Sequence, residues 1–191
     1  MERPAALPAP PLPSPGEPPR PAIYQRLLPE SQVNYGSTVP RLGRRIRFIV
    51  NHVAVGNGSL YGWFKTSGLS TQYWVSKAGV TEQYVEDHLA AYGQGIVSEG
   101  SDFPPEYPGR GDLYNCMALS IEREGYQYEE PPPAQWAALV ALNRWLAWRH
   151  SVPVDRDHIV GHYRSDWRNR AQCPHVSAEA YMQRLIESVL S

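Results

Sequence analysis

Three short apolar runs in this chain each end in a polar side chain capable of chemistry, and this pattern constrains the fold more than any other feature. Arg45-Ile-Arg-Phe-Ile-Val-Asn-His52 becomes apolar and β-branched toward its end, Cys116-Met-Ala-Leu-Ser-Ile-Glu122 does the same, and His158-Ile-Val-Gly-His162 is a shorter version. An apolar run of about four to eight residues without strict alternation reads as a strand covered on both faces. A polar residue at the end of such a strand needs a partner, because an unsatisfied buried polar group costs free energy.

The rest of the chain supplies the covering elements. Residues 1–21 hold nine prolines, including Pro10-Pro11 and Pro18-Pro19. Proline fixes φ and removes a backbone donor, so this stretch reads as an extended, solvated tail or linker, and residues 22–191 as the folded domain. The tail has no apolar core segment and no small-residue cleavage site, so it is not a secretory signal and points to cytoplasmic synthesis. Val55-Gly-Asn-Gly-Ser59 is followed by a short helix around residues 60–65. Residues 71–76 and 80–85 form a hairpin across Lys77-Ala78-Gly79, with glycine serving the turn. Residues 93–112, rich in Gly, Pro and acids, read as a loop long enough to form a binding rim.

Pro131-Pro-Pro133 introduces a helix from Ala134 to His150, proline being tolerated in a first turn. Its Trp136, Leu139, Val140, Leu142, Trp145 and Leu146 form a broad core face. Ser177 caps a final helix carrying Tyr181, Leu185, Ile186 and Val189. Mixed strands with a few helices predict an α/β (α+β) domain built on a single mixed β-sheet flanked by helices.

Composition removes several function classes. The 18 Lys plus Arg residues against 19 Asp plus Glu leave a net charge of −1, which gives no electrostatic basis for a nucleic-acid coat or a polybasic membrane binder. The local cluster Arg41, Arg44, Arg45 and Arg47 is read either as a solvated face or as a contact for an anionic polymer. No apolar run approaches the roughly 18 residues of a membrane-spanning helix, so no stable membrane insertion is expected. The two cysteines, Cys116 and Cys173, cannot build a disulfide scaffold.

The candidate chemistry lies at the run ends. His52, His162 and Cys173 are two imidazoles and a thiol, a donor set suited to Zn²⁺ with one coordination position left for water. Their spacing is not a zinc-finger pattern, and satisfied core histidines with an inert buried thiol account for it as well. Glu122, projecting from a strand end into a cleft, could take a proton from water beside such a metal; a salt bridge to one of the arginines is the other reading. Glu124 is the weaker carboxylate candidate, and His175 lies close enough to Cys173 to reach the site. His88, His150 and His158 read as surface residues, and Cys116 as core filling.

Four blocks carry a resemblance to a known family: Ile49-Val-Asn-His-Val-Ala-Val-Gly56; Ser70 through Val85; Asn115 with Ile121-Glu-Arg-Glu-Gly125; and Ile159-Val-Gly-His162 through Asn169-Arg-Ala-Gln-Cys-Pro174. In this order they resemble the zinc-dependent N-acetylmuramoyl-L-alanine amidases of type 2, whose fold is shared with peptidoglycan recognition proteins and small phage lysins. The resemblance covers about residues 22–191. It implies that His52, His162 and Cys173 hold zinc and that Glu122 is the catalytic glutamate. It also implies cleavage of the amide between N-acetylmuramic acid and the first L-alanine of the stem peptide, on peptidoglycan or muropeptide.

The chain departs from the family pattern at several places. Gln72 stands where a histidine is frequent and Thr71 where some members have a catalytic tyrosine, while the adjacent Tyr73 should face the opposite side of its strand. Ala171 replaces a common Lys or Thr, which leaves Arg170 as the cation that could steady the tetrahedral oxyanion. His175 replaces a glycine, and Asn51 places an amide where an apolar residue is usual. The resemblance implies a phage or prophage endolysin. A cytoplasmic muropeptide-recycling amidase is the enzymatic alternative, and a non-catalytic peptidoglycan-binding module is the alternative of a different class.

Overall fold

The computed structural model describes residues 16–28, 38–95, 97, 98, 101 and 111–191. The elements are, in chain order, β1 (Ile23–Gln25), β2 (Thr38–Pro40), β3 (Phe48–Val53), α1 (Tyr61–Ser67), β4 (Tyr73–Val75), β5 (Thr81–Gln83), β6 (Leu89–Ala91) and α2 (Gly111–Met117). They continue with β7 (Ala118–Arg123), α3 (Pro133–His150), β8 (Ile159–Gly161), a 3-10 turn (His162–Arg164), α4 (Trp167–Arg170) and α5 (Ala178–Leu190). Six strands form one mixed sheet in the order β1-β5-β4-β7-β3-β8, as the sequence predicts. A two-stranded antiparallel ribbon, β2 with β6, supplements it.

The central strands β7 and β3 run parallel and in register, Phe48 opposite Ala118 through Val53 opposite Arg123. β8 joins β3 in parallel on its other side. Strand periodicity then sorts the side chains between two faces. Ile49, Leu119, Ile121 and Ile159 point to the layer formed by α3 and α5, where Leu139, Leu142, Leu146, Tyr181 and Leu185 close the main core. Phe48, Val50, Ala118 and Val160 point the other way, against Tyr114 and Met117 of α2. Full burial of each large aliphatic side chain contributes about 1.5–3 kcal/mol. All six residues of β3 are buried, including Asn51 and His52, which confirms a strand covered on both faces.

Asn51 is satisfied within the core. Its amide and that of Asn143 on α3 donate to each other's oxygens at 3.1 Å, so the residue that departs from the family pattern has a matching amide 92 positions away. α5 buries Tyr181, Met182, Leu185, Ile186 and Val189 on one stripe. Ser177 occupies its N-cap position but makes no side-chain cap bond, contrary to its expected role; its N–H donates to His175 Nδ1 at 3.0 Å instead. The hairpin of β4 with β5 forms as expected, with Gly79 at φ 80° in its turn.

The sequence expectations for Cys116 and Arg41 change as well. Cys116 lies in the last turn of α2 rather than in a strand, although it is buried. Arg41 is buried rather than solvated, donating to the carbonyl oxygens of Asp87 (2.6 Å), Cys116 (3.0 Å) and Ala118 (3.1 Å). Its guanidinium covers main-chain acceptors where α2 gives way to β7. Of the expected tail 1–21, residues 1–15 lie outside the described residues, as does most of the expected loop 93–112. Arg20 sits over the Trp145 ring, 5.3 Å from its centroid. Among the described residues, no helix is long and apolar enough to cross a membrane.

His150 also differs from its expected surface role. Its Nε2 is 2.8 Å from Asp87, which also accepts from Tyr73 (2.5 Å) and Gln83 (3.2 Å). Burial alone would raise the Asp87 pKa, yet the hydrogen bonds from His150 and Tyr73, with the nearby His150 and Arg149 charges, hold it below its usual value. A carboxylate depressed in the folded state stabilises the fold above its unfolded pKa and loses that contribution as pH falls through the folded value. Asp87→Asn is therefore expected to cost about 2 kcal/mol at pH 7. Urea unfolding should show that deficit shrinking below about pH 4.

Candidate active site

Three parallel strand ends meet on one side of the sheet. β3 and β7 place His52 directly opposite Glu122, on the same face as Val50 and Ser120. β8 is followed at once by the 3-10 turn that begins at His162. The carboxyl ends of parallel strands are where open α/β sheets bind ligands, because the connecting loops leave a crevice there. Cys173 enters from the segment after α4. Its N–H donates to Arg170 O at 2.8 Å, its carbonyl accepts from Tyr163 N at 3.1 Å, and its sulfur accepts from Val53 N at 3.4 Å.

The ligand-capable atoms of His52, His162 and Cys173 all lie within 4.8 Å of one another, and all three residues are buried. The two Nδ1 atoms face each other at 3.0 Å. Glu122 stands beside them, its Oε1 4.0 Å from His52 Nδ1, with 16% of its side chain exposed. Its Oε2 has no hydrogen-bond partner among the described residues. These residues line a cleft of about 500 Å³ whose walls include Val55, Trp63, Leu69, Arg168 and Arg170.

Burial governs the electrostatics. It lowers the His52 pKa well below its ordinary value, with the His162 charge adding to the effect, and it lowers that of His162 to about 4. Both rings are therefore neutral near pH 7. Burial pushes Glu122 up to about 8, against the opposing pull of Arg170 and Arg123. It pushes the Cys173 thiol up to about 12, with the Glu122 charge adding to the rise. Two neutral imidazoles and a thiol whose proton a bound cation would displace fit a divalent metal with affinity for nitrogen and sulfur. A carboxylate with a free oxygen next to that cluster can exchange a proton with a reacting group.

The remaining sequence candidates sort cleanly. Arg170 ends α4, is exposed and lines the cleft. Glu124 lies elsewhere and serves the fold, accepting from the backbone N–H of Gly58 (2.7 Å) and Lys77 (2.8 Å). His175 stacks on Tyr181, with ring centroids 5.5 Å apart, and does not line the cleft. Gln72 is spent on Leu89 O (3.1 Å) and Ser120 N (2.8 Å). Thr71 donates toward Ser120 O (2.9 Å), and Tyr73 packs in the opposite core, as its position in the strand predicts. His88 is exposed as expected, whereas His158 is hydrogen-bonded to Asp155 at 2.7 Å.

Three residues around the site escaped sequence reasoning. Arg123 is almost fully buried and donates to the carbonyls of Tyr126 (3.0 Å), Glu129 (3.1 Å) and Pro174 (2.9 Å). It thereby ties the Cys173-Pro174 segment to β7. Gln94 contacts both histidines: His52 Nε2 is 2.8 Å from its side-chain oxygen and His162 Nε2 is 2.8 Å from its main-chain oxygen. Gly93 precedes it at a point where an added Cβ would lie 2.9 Å from Ser120 Cβ and 3.2 Å from Ser70 O. The only signal in the sequence was the pair of glycines flanking Gln94. Gly93→Ala is expected to cost about 2 kcal/mol by overpacking, which a thermal melt would register as a Tm lowered by about 4–8 °C.

A mixed α/β sheet with two histidines and a glutamate at adjoining strand ends, and a cysteine beside them, defines a cleft enzyme class with a metal-capable donor set. The family model for N-acetylmuramoyl-L-alanine amidase (Amidase_2) matches residues 42–176, and the chain belongs to that family. Similar solved structures include the endolysin N-acetylmuramoyl-L-alanine amidase LysCS from Clostridium intestinale, at 20% identity and TM-score 0.59, covering 89% of this chain and 98% of that one. A selenomethionine derivative of AmpD gives 17% identity and TM-score 0.64, covering 86% and 93%. The amidase AmiD from E. coli, in complex with its substrate anhydro-N-acetylmuramic acid-L-Ala-D-γ-Glu-L-Lys, gives 20% identity and TM-score 0.52 over 63% of this chain and 49% of that one. These likenesses establish the fold. No curated protein matches the chain.

Proposed function

We propose that this chain is a zinc-dependent N-acetylmuramoyl-L-alanine amidase that hydrolyses the amide joining N-acetylmuramic acid to the first L-alanine of the stem peptide. The observation that carries the reading is the meeting of His52, His162 and Cys173 within 4.8 Å, with the Glu122 carboxylate 4.0 Å from His52. The three donors would hold the zinc ion. Zinc bound there supplies Lewis acidity that polarises a carbonyl and lowers the pKa of water to about 7.

The chain's own residues supply the rest. Glu122 takes the proton of the attacking water at a carboxylate oxygen and returns it to the nitrogen of the leaving L-alanine, so one group serves first as base and then as acid. Burial raises its pKa above the ordinary carboxylate range, and the positive charges of Arg170 and Arg123 oppose that rise. Arg170, exposed on the cleft wall, brings its positive charge toward the oxyanion of the tetrahedral state. The exposed apolar surfaces of Val55, Trp63 and Leu69 offer a wall for glycan or peptide.

The substrate we assign is the polymeric wall, making the chain an endolysin-type enzyme of phage or prophage character; the endolysin identity of LysCS supports this choice. Mass spectrometry of purified peptidoglycan digested with the protein, beside a chelator-treated control, tests the reading. Stem peptides with a free L-alanine amine, absent from the control, are expected. Cleavage confined to soluble muropeptide would move the assignment to wall-fragment recycling. Intact glycan-peptide links under both conditions would remove the amidase.

A further inference from the structure

We infer that Gln94 is the positioning residue that fixes both site histidines in the tautomer presenting Nδ1 to a metal. The inference rests on the zinc reading for its purpose, but the hydrogen-bond geometry stands without it.

Gln94 has no exposed surface, and its two oxygens lie 2.8 Å from His52 Nε2 and 2.8 Å from His162 Nε2. A main-chain carbonyl oxygen can only accept, so the His162 ring carries its proton on Nε2, and with the Gln94 side-chain oxygen turned toward His52 that ring carries its proton on Nε2 as well. Both Nδ1 atoms then present lone pairs, and they face each other at 3.0 Å. Two lone pairs that close repel unless a cation lies between them. One residue thus sets the direction of two donors whose chain positions are 110 apart. Metal-ligating imidazoles characteristically donate their second N–H to an oxygen that orients the ring and raises its basicity. Here a side-chain amide and a main-chain carbonyl of the same residue do both.

Gln94 is itself held. Its N–H donates to Asn115 Oδ1 at 3.0 Å from α2, and Gly93 before it closes against Ser120. The side-chain oxygen acts on His52 alone and the main-chain oxygen on His162 alone. Substitution of the side chain should therefore release one ring and leave the other fixed, which a general loss of structure would not do.

The test is long-range ¹⁵N–¹H NMR of the histidine rings in metal-free protein, combined with zinc affinity from chelator competition, for wild type, Gln94→Leu and Gln94→Glu. Wild type is expected to show Nε2–H on both His52 and His162. Gln94→Leu should lose that fixed tautomer at His52 while His162 keeps it, and should bind zinc about 10–100-fold more weakly. Gln94→Glu retains an acceptor and should restore the His52 tautomer, with zinc affinity recovering to within a few-fold of wild type. An unchanged His52 tautomer in Gln94→Leu, or unchanged zinc affinity, overturns the positioning role. Wild type that binds no zinc would overturn the amidase mechanism instead, while the ring spectra would still decide whether Gln94 sets the tautomers.

Discussion

Glu122→Gln is expected to keep zinc binding within a few-fold of wild type and to lower turnover by about 10²–10⁴-fold, the usual range for losing a general acid–base group. The amide has almost the volume of the carboxyl but cannot accept and return a proton. Little else should change, because Glu122 Oε2 has no hydrogen-bond partner among the described residues and Glu122 is not among the three clustered donors. The substitution also removes a carboxyl that burial holds far above its ordinary pKa, so no stabilising ion pair is lost. Single-turnover release of stem peptide, read beside zinc content of the same sample, separates the two effects. Full activity in the glutamine variant would remove Glu122 from the chemistry. Loss of zinc with loss of activity would recast it as a ligand.

The parts of this molecule that the sequence discloses are those governed by local rules. The run Phe48-Ile-Val-Asn-His52 reads as a doubly covered strand because nearly every side chain in it must be buried, and burial on both faces follows. His52, Glu122 and His162 stand out because each is a polar end to an apolar run, and parallel strands in register bring such ends together.

What stayed hidden depends on partners distant in the chain. Cys116 reads as strand because α2 passes into β7 at Met117-Ala118 without a glycine or proline to mark the change. Arg41 reads as solvated because nothing local reveals the carbonyls it meets 75 and 77 residues later. His150 becomes a core participant only through Asp87, 63 positions away. Asn51 and Asn143 are an intermediate case, since each is an amide amid apolar neighbours but only the fold makes them a pair. Gln94 is the most instructive omission. Its side chain has no chemistry of its own, and its value lies in the direction of two oxygens within a segment the sequence marks only as loop.

Cys173→Ser is expected to weaken zinc binding by at least about 100-fold, and the reason lies in charge rather than shape. The hydroxyl fits the space of the thiol and can accept from Val53 N in its place, so the fold should persist. The two ligands differ in what a cation can draw from them. Without metal, burial and the nearby Glu122 charge push the Cys173 thiol up to about 12, so it is protonated at neutral pH. Binding must therefore release that proton, and wild-type zinc affinity should fall about tenfold for each unit that pH drops below neutrality, before other ligands contribute. The serine hydroxyl does not ionise comparably, so the variant should bind weakly with a flatter pH dependence. Calorimetric titration in two buffers of different ionisation enthalpy counts the released protons directly. About one fewer proton in Cys173→Ser, together with the lost affinity, would identify the thiolate as the third donor. Equal affinity and equal proton release would mean that the metal is completed elsewhere, with Glu122, 4.0 Å from His52 Nδ1, as the carboxylate to test next.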